Sequence, residues 1–164
     1  MKIVIVGPGA IGCLFAAYLK KSKEDVWLLD KDKDRASKIN ERGISVEGIS
    51  GNWHAKIRAT HEPKEIERAD IIIIAVKSYD TKEAVEKIKP IVCPDTKVLT
   101  MQNGIGNIEI ISEIIGSEKV IGGVTSQGAT LIDVGSIRHA GKGDVVIGRM
   151  DGKIPVEMRQ IREV

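Results

Sequence analysis

The segment "KIVIVGPGAIG", Lys2 to Gly12, decides how this 164-residue chain folds. A short run of β-branched residues stops at Gly7, and from Ala10 to Lys21 the apolar residues Ile11, Leu14, Phe15, Tyr18 and Leu19 recur at helical spacing. A strand that breaks at glycine and restarts as a helix is the first βα unit of a mainly parallel sheet. The glycines fall as Gly7-x-Gly9-x-x-Gly12. In that pattern the first glycine permits a tight turn, the second lets backbone approach a pyrophosphate, and the third lets helix pack closely on strand. Gly7, Pro8, Gly9, Ala10, Ile11 and Gly12 are therefore the candidate phosphate loop, with the anion on the N-terminus of the helix. The plainer reading is a glycine-rich βα turn that binds nothing.

Downstream, short apolar runs keep alternating with amphipathic segments. "DVWLLD" (Asp25 to Asp30) reads as a second strand, and Asp32 to Arg42 as a helix closed by Gly43. "GISVEG" and "WHAKIRAT" read as a hairpin that decorates the fold rather than building its core. Ile71 to Val76 shows no alternation, as expected of a strand buried on both faces. Asp80 to Lys89 reads as a helix stopped by Pro90, "TKVLTM" as another buried strand, and Asn107 to Ile115 as a helix ended by Gly116. Between Lys119 and Arg149 the helical period disappears and short glycine-rich strands predict an antiparallel edge. The fold class is thus α/β, a Rossmann-type doubly wound sheet with antiparallel strands at its C-terminal edge.

Composition narrows the function classes. Lys+Arg number 25 against 23 Asp+Glu, and the signs are interspersed, so no nucleic-acid surface is expected. Aromatic residues make up 3%, too few for base-stacking platforms. No apolar run approaches the length of a bilayer span and no leader pattern precedes the first strand, so a soluble, cytoplasmic protein is expected. Cys13 and Cys93 stand alone in apolar stretches and read as reduced, buried residues, Cys13 packing under the phosphate loop. His54, His61 and His139 have neither helical pairing nor a carboxylate cluster, so no metal is expected; Ser126 lacks the setting of a hydrolase nucleophile.

Three further constellations fall just past strand ends, where open α/β sheets collect their ligands. Asp30 stands eighteen residues after Gly12, near the spacing of an acid that holds ribose hydroxyls, which alone favours NAD. Lys31, Lys33 and Arg35 beside it are either neutralisers of a 2′-phosphate, favouring NADP, or solvated charges at a helix start. In "AVKSYDT", Lys77 faces the same edge or is an ordinary loop lysine with Asp80 as a helix cap. In "LTMQNGIGN", Asn103 can donate its amide to a carbonyl or carboxamide oxygen; a simple turn with Asn107 capping the next helix leaves Gln102 and Asn103 without a task.

Taken together, "GPGAIG", "VKSYDT", "QNGIGN", "GGVTSQGA" and "GSIRHAGKGDVVIG" resemble the ketopantoate reductase (2-dehydropantoate 2-reductase) family in order and over nearly the whole chain, Lys2 to about Gly148. The resemblance implies reduction of 2-dehydropantoate, a small keto acid, to pantoate with a nicotinamide cofactor, normally NADPH, on the route to pantothenate and coenzyme A. It implies NADP(H) as the favoured cofactor here, with NAD(H) the alternative, because the family's arginine at the 2′-phosphate falls on Lys31 beside Asp30. It further implies that Lys77 and Asn103 face both cofactor and substrate, and that Ala129 lies by the nicotinamide. Residues 1–150 would then be the NAD(P)-binding domain and 151–164 the start of a helix, near Pro155, leading to a helical second domain absent from this chain. The family's general-acid lysine is expected beyond Val164, so the chain alone should bind cofactor and be weak or silent in catalysis. The uncovered sheet edge should expose an apolar patch through which two copies can pair as a homodimer. Two other readings stand beside this one: a relative acting on another keto acid or imine, and a non-enzymatic nucleotide sensor.

Overall fold

The computed structural model describes residues 1–153. Its main sheet has seven strands in the order β11-β8-β7-β6-β1-β2-β5, where β1 is Lys2–Val6, β2 Asp25–Leu29, β5 Arg58–Thr60, β6 Ala69–Ile74, β7 Val92–Thr100, β8 Val120–Thr125 and β11 Val145–Gly148. Every neighbouring pair is parallel except β8 with β11. Parallel strands covered on both faces need continuous apolar sequence, and Ile71 to Ile74 are all buried. One face carries helices α3 (Thr81–Ile88) and α4 (Asn107–Ile115), whose Ala84, Val85, Ile88 and Ile111 meet Val4, Val6, Ile72 and Ile74.

The other face carries α1 (Ala10–Lys21), and α1 is itself covered by a second sheet. That sheet has the order β4-β3-β10-β9, with β3 Ile44–Gly48, β4 Trp53–Ala55, β9 Gly128–Asp133 and β10 Ser136–Gly141. Helix α2 (Lys33–Arg42) begins at the Asp32 cap, whose carboxylate accepts from the Arg35 N–H at 2.9 Å, and ends at Gly43.

Two expectations need correction here. "GISVEG" and "WHAKIRAT" do not form a decorative hairpin: β3 and β4 pair, but β3 also pairs in parallel with β10, and Ile44, Val46 and Ala55 are buried against α1. Arg58–Thr60 separates from them and becomes the edge strand of the main sheet beside β2. The region after Lys119 is likewise not one antiparallel edge. β8 continues the parallel sheet, β11 returns antiparallel to it, and β9 and β10 leave for the second sheet. Smaller shifts are that the buried strand starts at Ala69 and stops at Ile74, and that Cys93 is half-buried rather than buried. Residues 150–151 form a turn, with Arg149 paired to Asp151; the rest of the predicted terminal helix lies outside the described residues.

Apolar side chains do stand exposed on the C-terminal strands, among them Val124, Leu131, Ile132 and Val146. No described helix is long and apolar enough to cross a membrane.

The second sheet is therefore part of the core. Ile137→Ala on β10, where the side chain is fully buried, should cost about 3 kcal/mol in urea unfolding with one cooperative transition. A cost below about 0.5 kcal/mol, the size of a surface change, would return these strands to the status of decoration.

Candidate functional site: a cleft at the carboxyl ends of the parallel strands

The cleft follows from strand order. Strand β1 lies between β6 and β2, and the chain leaves these strands toward opposite sides, so their following loops part over β1. The opening measures about 880 Å³. Gly7, Pro8, Gly9, Ala10, Ile11, Asp30, Lys31, Lys77, Asn103 and Ala129 all line it. Gly12 and Lys33 do not; Gly12 is buried beneath the loop, and Lys33 is exposed at the start of α2 outside the cleft.

The loop's glycines have separate physical tasks. Gly7 has φ +97°, and a Cβ there would meet Val76 Cγ1 at 2.7 Å. At Gly12 a Cβ would stand 2.1 Å from the Gly7 carbonyl oxygen, so helix and strand approach as closely as glycine allows. At Gly9 a Cβ would meet nothing within 4 Å. Among the described residues no neighbour requires glycine at that position, which faces the cleft at the N-cap of α1. The space it leaves open suits a ligand pressed against backbone, and the first turn of α1, with no acidic side chain, suits an anion. The donor set and the space thus fit a dinucleotide pyrophosphate. Underneath, the Cys13 thiol donates to Pro8 O at 3.4 Å, as expected of a residue packed under this loop. Burial pushes its pKa up to about 12, with the Asp30 charge adding to the rise.

Asp30 is buried, and its carboxylate is held by the Arg35 guanidinium through Nε at 2.6 Å and through Nη2, while its Oδ1 also accepts from the Asp32 N–H at 3.0 Å. The acid that the spacing singles out therefore reaches the cleft already neutralised, and Arg35 presents the outward polar surface. Lys31 is exposed and pairs with Asp80 at 2.9 Å. Lys87 donates to Asp30 O at 3.3 Å from the α3 side.

The amide cluster after β7 divides into two roles. Gln102 Nε2 donates to Val76 O and to Thr81 Oγ1, both at 2.8 Å, and its Oε1 accepts from Thr100 Oγ1 at 3.1 Å. Asn107 does not cap α4, whose cap position is Gly106; its side chain is buried, with Oδ1 2.9 Å from Thr81 Oγ1 and Nδ2 donating to Asn103 O at 3.2 Å. These two amides fasten the loops after β6 and β7 to each other. The Asn103 side chain has no such engagement among the described residues and is exposed on the cleft wall. Lys77 is exposed opposite it at the end of the β6 loop.

At the far end, the link from β8 to β9 brings Gln127, and β9 brings Ala129, to the cleft. Gln127 Oε1 accepts from His139 Nε2 at 2.9 Å, and His139 Nδ1 lies 3.3 Å from the Tyr18 hydroxyl. His139 is thus a buried structural residue, and no cluster of metal-ligating side chains occurs among the described residues. Gln127, Asp80, Glu83 and Lys87 are cleft residues missing from the sequence-derived set. Asp80, Glu83 and Lys87 were legible in principle: the spacing of three then four puts them on one face of a helix that starts at a strand end.

A parallel sheet with a glycine loop, an acid after β2 and a cleft over the strand ends defines the Rossmann class of α/β domains. Within that class the chain belongs to the ketopantoate reductase PanE/ApbA family, whose model matches residues 3–152. A 2-dehydropantoate 2-reductase of Pyrococcus abyssi is 44% identical over 148 residues, 90% of this chain and 47% of that protein. A crystal structure of 2-dehydropantoate 2-reductase from Geobacter metallireducens superposes with TM-score 0.90 at 30% identity, covering 98% of this chain and 53% of the other. The ternary structure of D-mandelate dehydrogenase with NADH and anilino(oxo)acetate superposes with TM-score 0.87 at 26% identity, covering 99% of this chain and 52% of the other. The chain spans about half the length of the relatives it matches.

Two outcomes are expected from this geometry. Arg35→Ala strands a buried carboxylate and should lower stability by about 3 kcal/mol, read as a melting temperature lower by roughly 6–12 °C. The raised Cys13 pKa favours the protonated native state, so its contribution is flat below the ordinary thiol value of 9.0 and becomes a loss as pH rises from there toward about 12. Wild type should therefore lose about 1.4 kcal/mol per pH unit relative to Cys13→Ala across that alkaline window. Parallel pH curves for the two proteins would contradict the burial argument.

Proposed function

We propose that this chain is the nicotinamide-cofactor-binding domain of a 2-dehydropantoate 2-reductase, serving pantothenate and coenzyme A synthesis in the cytoplasm. The observation that carries the reading is the glycine loop: of its three glycines, Gly9, where a Cβ meets no described residue, faces the cleft at a helix N-terminus, with Lys77 and Asn103 on the same edge. In this reading Gly7 to Ile11 hold the pyrophosphate over the Gly12 packing contact, and Asp30, Lys31 and Arg35 surround the adenosine ribose. Ala129 borders the nicotinamide, and Asn103 and Lys77 orient the carboxamide and the keto acid. NADP(H) is the favoured cofactor and NAD(H) the alternative. Bound there, the nicotinamide supplies a hydride for the substrate carbonyl.

Reduction of a ketone also needs a proton for the developing alkoxide and a water-excluding cage. Among the described residues, the lining of the cleft includes no buried acid beside Asn103. We assign those tasks to a part of the protein outside this chain, so this chain alone should bind nucleotide and turn over slowly or not at all.

A second reading, a related reductase taking another 2-keto acid with NADH, draws support from the likeness to D-mandelate dehydrogenase. It shares the same cofactor cleft and differs in substrate. A sensor that reads only adenosine gives no use for Asn103 and Lys77.

Calorimetric titration tests the reading. NADPH and NADH should each bind at one site per chain. Asn103→Ala should weaken the dinucleotides roughly threefold or more while leaving 5′-AMP and 2′,5′-ADP within twofold, because a lost neutral hydrogen bond is worth about 1 kcal/mol. No binding by any of these nucleotides would overturn it; unchanged dinucleotide affinity in Asn103→Ala would favour the sensor.

A further inference from the structure

We infer that Asp80 is a specificity-determining residue: by holding Lys31 across the adenosine end of the cleft, it competes with a 2′-phosphate for that lysine and sets the balance between NADPH and NADH. The inference rests on the cofactor reading above and goes beyond it.

The geometry is specific. Lys31 follows β2 and Asp80 precedes α3 after β6, and β1 with its glycine loop lies between those strands. The ion pair therefore joins the two walls of the cleft over its central strand. Both residues line the opening.

The choice of partners is informative. Asp80 enters α3 from a 3-10 turn over Ser78–Asp80 with helical backbone, so its carboxylate makes no capping bond and is held by Lys31. On the other wall, Asp30 is satisfied by Arg35 and by the Asp32 N–H, so it is not the partner Lys31 needs. Lys31 is the first residue beyond Asp30, at the place where a cation accommodates a 2′-phosphate in this class of fold.

Among the described residues, the charges lining this end of the cleft fit the same balance. The cations at this end are Lys31, Arg35 and Lys87; the anions are Asp30, Asp80 and Glu83. Arg35 is committed to Asp30, and Lys87 reaches the Asp30 carbonyl, which leaves Lys31, paired with Asp80 alone among the described residues, as the cation placed to change partner. A 2′-phosphate arriving here must draw Lys31 away from Asp80 and tolerate the nearby Asp80 and Glu83 charges. A 2′-hydroxyl makes no such demand. The chain is thus less selective for NADPH than its lysine suggests, and Asp80 is the reason.

The test is calorimetric titration of the 164-residue chain with 2′,5′-ADP, 5′-AMP, NADPH and NADH. Asp80→Asn should tighten 2′,5′-ADP and NADPH by roughly three- to fivefold and move 5′-AMP and NADH by less than twofold, the upper size expected for freeing a partly exposed ion pair. The gain should shrink in high salt and, in a Lys31→Ala background, fall to the smaller part owed to direct repulsion between the carboxylate and the phosphate, which a merely structural role for Asp80 would not produce. The melting temperature of Asp80→Asn should stay near wild type, since no cap is lost. If the dinucleotides bind but Asp80→Asn shifts both families equally, or neither, the inference fails while the cofactor reading stands. If no nucleotide binds wild type or variant, the cofactor reading fails and this inference falls with it.

Discussion

The approach of α1 to β1 at Gly12 is the constraint on which the rest of the molecule depends. A Cβ at this position would lie 2.1 Å from the Gly7 carbonyl oxygen, closer than any real side chain is found. Because that contact is permitted only to glycine, the helix starts immediately over the strand end and points its unpaired N–H groups into the cleft. The same placement leaves the opposite side of α1 apolar and in need of cover, which the second sheet supplies through Ile44, Val46 and Ile137. A packing fact two atoms wide thereby fixes the phosphate loop, the layer order and the direction in which the cleft opens.

A second feature is electrostatic restraint. The cleft is lined by cations suited to a phosphorylated ligand, yet most are engaged by the protein's own groups: Arg35 by Asp30, Lys31 by Asp80, Lys87 by a backbone carbonyl. Such pairing keeps the walls in place without a ligand and makes each phosphate contact an exchange of partners rather than a simple gain. The cluster of half-buried Gln102 with buried Thr81 and Asn107 does the same mechanical work for the loops after β6 and β7, while Asn103 faces outward.

How much of this was legible depended on whether a residue's partners were local. Helix α1 falls where its apolar spacing puts it, Ala10 to Lys21, and the strand before it ends at the glycine that breaks it. Asp32 caps α2 and Gly43 ends it because both signals act within a few residues. Val46 looked like one face of a peripheral hairpin because its burial comes from β10, a strand some ninety residues away that no local pattern announces. Gln102 looked like a ligand contact for a similar reason: its partners Val76 and Thr81 belong to another loop. The cleft-lining set was largely readable, since strand ends in a parallel sheet must share an edge. The ionic partners of Asp30 and Lys31 were not, because sequence places charges near one another without saying which pairs form.

The central claim is that a dinucleotide lies along the loops from Gly7 to Asn103. Backbone amide NMR of the 17.8 kDa chain during addition of NADPH tests it most directly. The account predicts the largest shift changes at Gly7 to Ile11, Lys31, Lys77, Asn103 and Gln127, with β3, β4 and β10 nearly silent. Changes confined to the second sheet or to the exposed C-terminal strands, with the glycine loop unmoved, would contradict it.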